Sequence, residues 1–211
     1  MGIAGTDVAK EAADMILTDD NFASIVHAIE EGHAVYDNIR RFVAYIFTSN
    51  IPERVPFVLF VLFKVPLALT VMQILAIDLG TDMLPALALG TEAPEPGIMN
   101  RPPRSQNERM LNTGLLIRFQ LFLGMIQAAA CMLAFYFLYW SHGWRPGMNM
   151  FEFGAIAVGG STVYVLATTM THGAVVTTQI GNGFAQRTNV QSIFKFGFFS
   201  NKYMLLGIGA E

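Results

Sequence analysis

Four stretches of this chain are long and apolar enough to cross a lipid bilayer: roughly Phe42 to Phe63, Leu67 to Leu89, Leu115 to Trp140 and Ala155 to Gln179. Each is close to the ~20 residues that the hydrocarbon core demands of a helix. A fifth apolar run starts near Tyr203 and reaches Glu211. With 53% hydrophobic and 14% charged residues and a mean hydropathy of +0.45, the chain lies outside the usual soluble balance. The sequence therefore predicts a mostly α fold, a multi-pass α-helical bundle in a membrane.

Lys and Arg set the expected orientation. Arg40 and Arg41 precede the first span, Arg101, Arg104, Arg109 and Arg118 surround the connection from second to third, and Arg187, Lys195 and Lys202 follow the fourth. The other two connections hold only Lys64 and Arg145, so a cytoplasmic N-terminus is expected. Met1 to Glu31 is mixed and polar, without a signal-peptide pattern, which leaves insertion to the spans themselves. The lone cysteine, Cys131, sits in an apolar run and reads as a small core or lipid-facing residue. A net charge of −3 argues against a nucleic-acid partner.

Four regions follow from the pattern. Residues 1–35 read as the tail of a soluble α/β domain: Thr6 and Asp7 suit a helix start, Met15-Ile16-Leu17 a strand, and Thr18-Asp19-Asp20-Asn21 a turn and cap. Phe22, Ile25, Val26 and Ile29 then fall at i, i+3, i+4 and i+7, and no proline interrupts before Pro52, so a helix is expected to run unbroken into the membrane. Residues 36–91 hold this stalk and the first two spans, 92–114 an extended loop around Arg101-Pro102-Pro103-Arg104, and 115–211 the remaining spans.

Ionisable groups within a membrane span cost roughly 2.5 to 3.5 kcal/mol on insertion scales, so each asks for a reason. The first span carries Asn50, Glu53 and Arg54, the second Asp78, Thr81 and Asp82. Asn50 and Glu53 are three apart, and Asp78, Thr81 and Asp82 stand at i, i+3 and i+4, so each set shares one helical face. Pro52, Pro56 and Pro85 deprive the carbonyls of Thr48, Pro52 and Thr81 of their N–H partners. Carboxylate, amide, hydroxyl and freed carbonyl oxygens together suit hard cations such as Na⁺, K⁺, Ca²⁺ or protons. Interhelical packing glue is the competing use of such groups, and an Arg54 pair would serve it.

The run Gly2-Ile3-Ala4-Gly5-Thr6-Asp7-Val8-Ala9-Lys10-Glu11-Ala12-Ala13-Asp14, followed by Thr18-Asp19-Asp20-Asn21-Phe22, resembles the end of the phosphorylation domain of type II P-type ATPases. Thr48-Ser49-Asn50-Ile51-Pro52-Glu53 and Ile77-Asp78-Leu79-Gly80-Thr81-Asp82 resemble the fifth and sixth membrane helices of that family, closest to the sodium/potassium pump pattern. By position, the resemblance implies cation-binding roles for Asn50, Glu53, Asp78, Thr81 and Asp82, and for Gln179 and Asn182 in the eighth helix. It also implies an ATP-hydrolysing cation translocase that uses ATP and Mg²⁺, with further membrane helices and cytoplasmic domains as partners of this chain. The sequence itself contains no Asp-Lys-Thr-Gly-Thr phosphorylation motif. A piece of a longer pump, unable to hydrolyse ATP alone, is thus expected. Asp78 favours a monovalent cation, with a Ca²⁺ pump or a non-enzymatic channel or structural protein as alternatives. Arg54 departs from the family pattern, which has an apolar residue there, and suggests a built-in counter-cation.

Overall fold

Residues 2–102, 110–188 and 192–210 are described in a computed structural model of the chain. Arg104 and Arg109, part of the charge pattern above, lie outside them. Helix α1 (Asp7–Glu11) starts where Thr6 accepts a hydrogen bond from the Ala9 N–H. Helix α2 (Ala23–Phe63) follows, and its 41 residues are continuous through Pro52 and Pro56. At 1.5 Å per residue it is about 60 Å long, twice a bilayer's hydrocarbon core. Lys64 closes it in a left-handed conformation (φ 52°).

Helix α3 (Val71–Leu89) opens on a reciprocal cap between Thr70 and Gln73, and α4 spans Thr113–Ser141. These two and α2 are long and apolar enough to cross a membrane. The helix α5 (Met150–Gly154) and a hairpin of β1 (Ala157–Val158) and β2 (Ser161–Thr162) lead to α6 (Val163–Gln186). Two short helices, α7 (Ile193–Phe196) and α8 (Lys202–Ala210), complete the described chain.

Three sequence expectations are corrected here. The fourth span does not begin at Ala155: Gly159 and Gly160 both take positive φ and turn the hairpin, and the helix starts only after Thr162 caps it, running on to Gln186. Met15-Ile16-Leu17 is not a strand, because its one ladder-like bond is Gly2 N–H to the Leu17 carbonyl, too little to hold a pair. The described part of the 92–114 loop is not extended either. It folds back, burying Glu92, Glu95 and Ile98.

The apolar core lies between helices. Met132, Phe135 and Tyr139 of α4 pack on Val163 and Ala167 of α6, with Val65 and Ala68 between α2 and α3. Cys131 belongs to a second cluster with Leu69, Ile77 and Val175, which settles it as a core residue. Gly124 lets α4 approach α2, since a Cβ there would stand 2.6 Å from the Ile51 side chain.

The distribution of polarity is inverted relative to a soluble bundle. The buried stripe of α2 from Ala34 to Pro56 contains Asn38, Arg41, Thr48, Ser49 and Glu53, and that of α6 contains Thr168, Thr171, Gln179, Asn182 and Gln186. Val58, Leu79, Leu121, Phe122, Leu133 and Phe137 are exposed. Only an apolar solvent makes that arrangement favourable.

Candidate functional site: a cluster of intramembrane carboxylates

Helix α2 positions Glu53 and helix α3 positions Asp78 and Asp82. One oxygen of each carboxyl lies within 4.8 Å of the others. Glu53 and Asp82 are 5% and 6% exposed and Asp78 is half-buried. Among the described residues, the Oε1 atom of Glu53 has no hydrogen-bond partner. Three acidic groups brought this close in a poorly solvated layer repel one another strongly unless a cation or protons join them.

The local fold of α3 explains why its two aspartates reach the same place. Residues Ile77–Asp82 form a π-helical segment, wider than the α-helix on either side. Pro85 has no N–H to return to the Thr81 carbonyl, and the Thr81 hydroxyl donates instead to the Ile77 carbonyl at 2.9 Å. A Cβ added at Gly80 would meet nothing within 4 Å, so this face of the wider turn is open. Asp78, Thr81 and Asp82 are thereby carried on a loosened stretch of helix.

The other residues singled out by the sequence fall at different distances from this centre. Asn50 joins Asp78 and Asp82 in lining a cavity of about 170 Å³, together with Phe42, Ile46 and Leu87, and donates from Nδ2 to the Ile46 carbonyl at 2.7 Å. Thr81 donates to Oε1 of Gln179 at 3.3 Å, which ties α6 into the site. Gln179 is fully buried, and its Nε2 has no partner among the described residues. Asn182 sits one turn further along and is engaged elsewhere: it donates to the Tyr45 carbonyl at 3.4 Å and accepts from Gln186 at 3.2 Å. Arg54 is exposed, on the adjoining side of α2 from the buried Glu53.

Two kinds of residue escaped the sequence reading. Tyr45 donates to Oδ1 of Asp82 at 3.3 Å, and its place eight residues before Glu53 on one helical stripe was the available signal. Gln127, a polar group in the most apolar span, donates to the Thr178 carbonyl at 2.9 Å and keeps a buried, unpartnered oxygen. Arg41 and Arg187, read only as markers of orientation, form buried ion pairs. Arg187 clamps Glu92 through Nε (3.1 Å) and Nη2 (2.7 Å), and Asn201 adds a bond to the same carboxylate at 2.8 Å. Arg41 donates to Glu95 at 2.5 Å, and Arg101 bridges Glu95 (2.6 Å) to Asp37 (2.8 Å).

A helical membrane bundle with a polar interior, gathering carboxylate, amide and hydroxyl oxygens at one level, defines an integral membrane protein whose clustered oxygens are of the kind that suit hard cations. The chain belongs to the family described as cation transporting ATPase, C-terminus, which matches residues 66–211. It is 50% identical to the sodium/potassium-transporting ATPase subunit alpha of Drosophila melanogaster over 147 residues, 69% of this chain and 14% of that protein. The human subunit alpha-3 is 49% identical over 148 residues, 70% of this chain and 15% of that protein. Potassium-transporting ATPase alpha chain 2 of Oryctolagus cuniculus is 37% identical over 229 residues, which take in 100% of this chain and 21% of that protein. The chain thus spans about a fifth or less of these relatives' length.

Proposed function

We propose that this chain is the membrane portion of an ATP-driven cation pump, supplying the cation-binding site and the stalk that couples it to phosphorylation. One observation carries the reading: Glu53, Asp78 and Asp82, from two proline-containing helices, meet within 4.8 Å. Asn50, Thr81 and Gln179 supply neutral oxygens around them, and Asn182 belongs to the same polar stripe. Na⁺ or K⁺ is the cargo this reading favours, in keeping with the names of the relatives and with a carboxylate rather than an amide at position 78.

In the whole pump, ATP and Mg²⁺ supply a phosphorylation cycle in cytoplasmic domains that precede this chain. Movement of those domains displaces α2 at Ala23, and the helix carries the displacement to Glu53. Separating Glu53 from Asp78 and Asp82 lowers the affinity for a cation held among them, because Coulomb attraction falls with distance. The same reading takes the membrane to be the cell membrane and the N-terminus to be cytoplasmic, which the uneven distribution of Lys and Arg among the connections of the sequence supports. Its partners are the transported cation, the bilayer, and the remaining helices and cytoplasmic domains of the pump.

The test is uptake into sealed vesicles by the full-length protein, compared across Na⁺, K⁺ and Ca²⁺. ATP-dependent uptake of Na⁺ or K⁺ is expected, and Asp82→Asn should lower the apparent cation affinity on the order of tenfold, about 1.4 kcal/mol. Flux that persists without ATP would instead identify a channel. Uptake of Ca²⁺ alone would move the cargo to a divalent ion.

A further inference from the structure

Gln127 lies in the most apolar of the three spans and is 5% exposed. Cys131, Phe135 and Tyr139 follow it at steps of four, which makes one buried stripe on α4. On α6, Val163, Ala167 and Val175 pack against that stripe, and Gln179 ends theirs, again at multiples of four. The two stripes therefore end together on amides, and a bond joins them there. Nε2 of Gln127 donates at 2.9 Å to the carbonyl of Thr178, the residue before Gln179. A carbonyl oxygen has two lone pairs, so it accepts this bond without giving up its place in the helix. Gln179 has little else to aim it. Its Oε1 accepts from Thr81 at 3.3 Å, and its Nε2 has no partner among the described residues. Thr81 stands between Asp78 and Asp82 on the π-helical segment, so where the backbone of α6 is held decides how the Gln179 oxygen sits against the carboxylates. Gln127 is the α4 side chain that holds it. An amide is a costly choice there, because its own Oε1 is buried and unpartnered among the described residues. Leucine or methionine would fill the seam without that cost, so what the position supplies is the bond rather than bulk.

We propose that Gln127 is a positioning residue of the cation site: by holding the Thr178 carbonyl it fixes the turn of α6 from which Gln179 presents its amide oxygen, and so sets how tightly a monovalent cation is bound. The proposal rests on the reading of the Glu53, Asp78 and Asp82 cluster as the transport site. Gln127 itself touches no ion. A neutral oxygen strengthens cation binding only when it is held at coordination distance, and a partner behind the ligand is what holds it there. Without the anchor, α6 is free to draw back along its seam with α4. The Gln179 oxygen then contributes less, while the three carboxylates on α2 and α3 keep their places.

The experiment reads the Na⁺ and K⁺ dependence of ATP hydrolysis by the full-length polypeptide that carries this chain, reconstituted in vesicles. The native protein is compared with Gln127→Met, Gln179→Ala and the double variant. Gln127→Met should lower the apparent affinity for the activating cation about fivefold, the worth of one hydrogen bond, with the maximal rate retained. In the Gln179→Ala background the same change should move the affinity by less than about twofold, because the group that Gln127 positions is gone. Equal factors in the two backgrounds, or an unchanged affinity in Gln127→Met, overturn the positioning role and leave the proposed function standing when the native protein responds to either cation. A native protein that neither cation activates overturns both. Should Gln127→Met fail to fold, Gln127→Asn, which keeps the amide but is too short to span the same gap, is read in the same cycle with the same outcomes.

Discussion

Glu92 and Arg187 are 95 positions apart and yet form the most completely satisfied charge pair described in this chain. Arg187 is fully buried and also donates to the carbonyls of Gly197 and Phe198 and to the Ser200 hydroxyl. Removing one partner leaves an uncompensated charge in a dry environment, so Glu92→Gln should destabilise the protein by about 3–5 kcal/mol. Thermal unfolding of the detergent-solubilised protein checks this, and an unchanged midpoint would mean that the cluster is solvated. Nothing in the sequence announced the pair. Single arginines next to a span read equally well as topology signals, because the positive-inside pattern concerns position and is silent about partners. Glu53, Asp78 and Asp82 were legible for the opposite reason. A carboxylate within an apolar run is rare enough to identify its own layer, and helical periodicity alone then gives its face.

The elements were legible in proportion to how local their causes are. Helix α2 could be read from its i, i+3, i+4 spacing and from the lack of an early proline, and the turn before it is built as its residues suggest. Asp19 accepts from the Asn21 N–H and the Ser24 hydroxyl, and Asn21 accepts from the Ala23 N–H. The start of α6 was misplaced because hydropathy is blind to Gly159 and Gly160, whose positive φ angles redirect the chain before the helix can form. Packing between elements was not legible at all. Gly124 is one residue in an apolar run, but α2 meets α4 at its Cα, where Ile51 fills the space a side chain would need. Gly124→Ala should therefore push α4 away from α2 and cost about 1–3 kcal/mol. Ile51→Ala in the same chain should restore much of the loss, and its failure to do so would place the strain elsewhere.

At the scale of the whole molecule, two surfaces are left exposed by the described residues. One is the apolar face of the bundle, which suits lipid. The other is the beginning of α2, where Phe22, Val26 and Ile29 are 76%, 52% and 44% exposed. The spacing that foretold a helix also foretold a buried stripe, and the burial is not supplied by residues 2–21. That segment is closed on itself by Asp20, whose carboxylate accepts the N–H groups of Ile3 and Ala4. The Ala4 bond above all holds the Asp20 pKa below the usual aspartate value, and the Ser24 hydroxyl does the same for Asp19. A carboxyl with a depressed folded-state pKa stabilises above its unfolded value, near 4, and the contribution is lost as pH falls through the lower folded value. Asp20→Asn should expose residues 2–5 to proteolysis at neutral pH, and the difference from the native chain should vanish in acid, once pH falls through the lowered Asp20 pKa. A difference that persisted in acid would show that the charge is not what holds the turn.

The length of α2 and the place where it is gripped have a mechanical consequence. Arg41 is held by Glu95, 18 residues after Ala23 and 12 before Glu53, which makes arms of about 27 Å and 18 Å. A rod held there pivots as a lever about a fulcrum. A sideways push of ~3 Å at the far end becomes ~2 Å at Glu53, in the opposite direction. In the pump proposed above, such a grip would gear a large, soft motion at the start of α2 down to a smaller and more forceful one at Glu53.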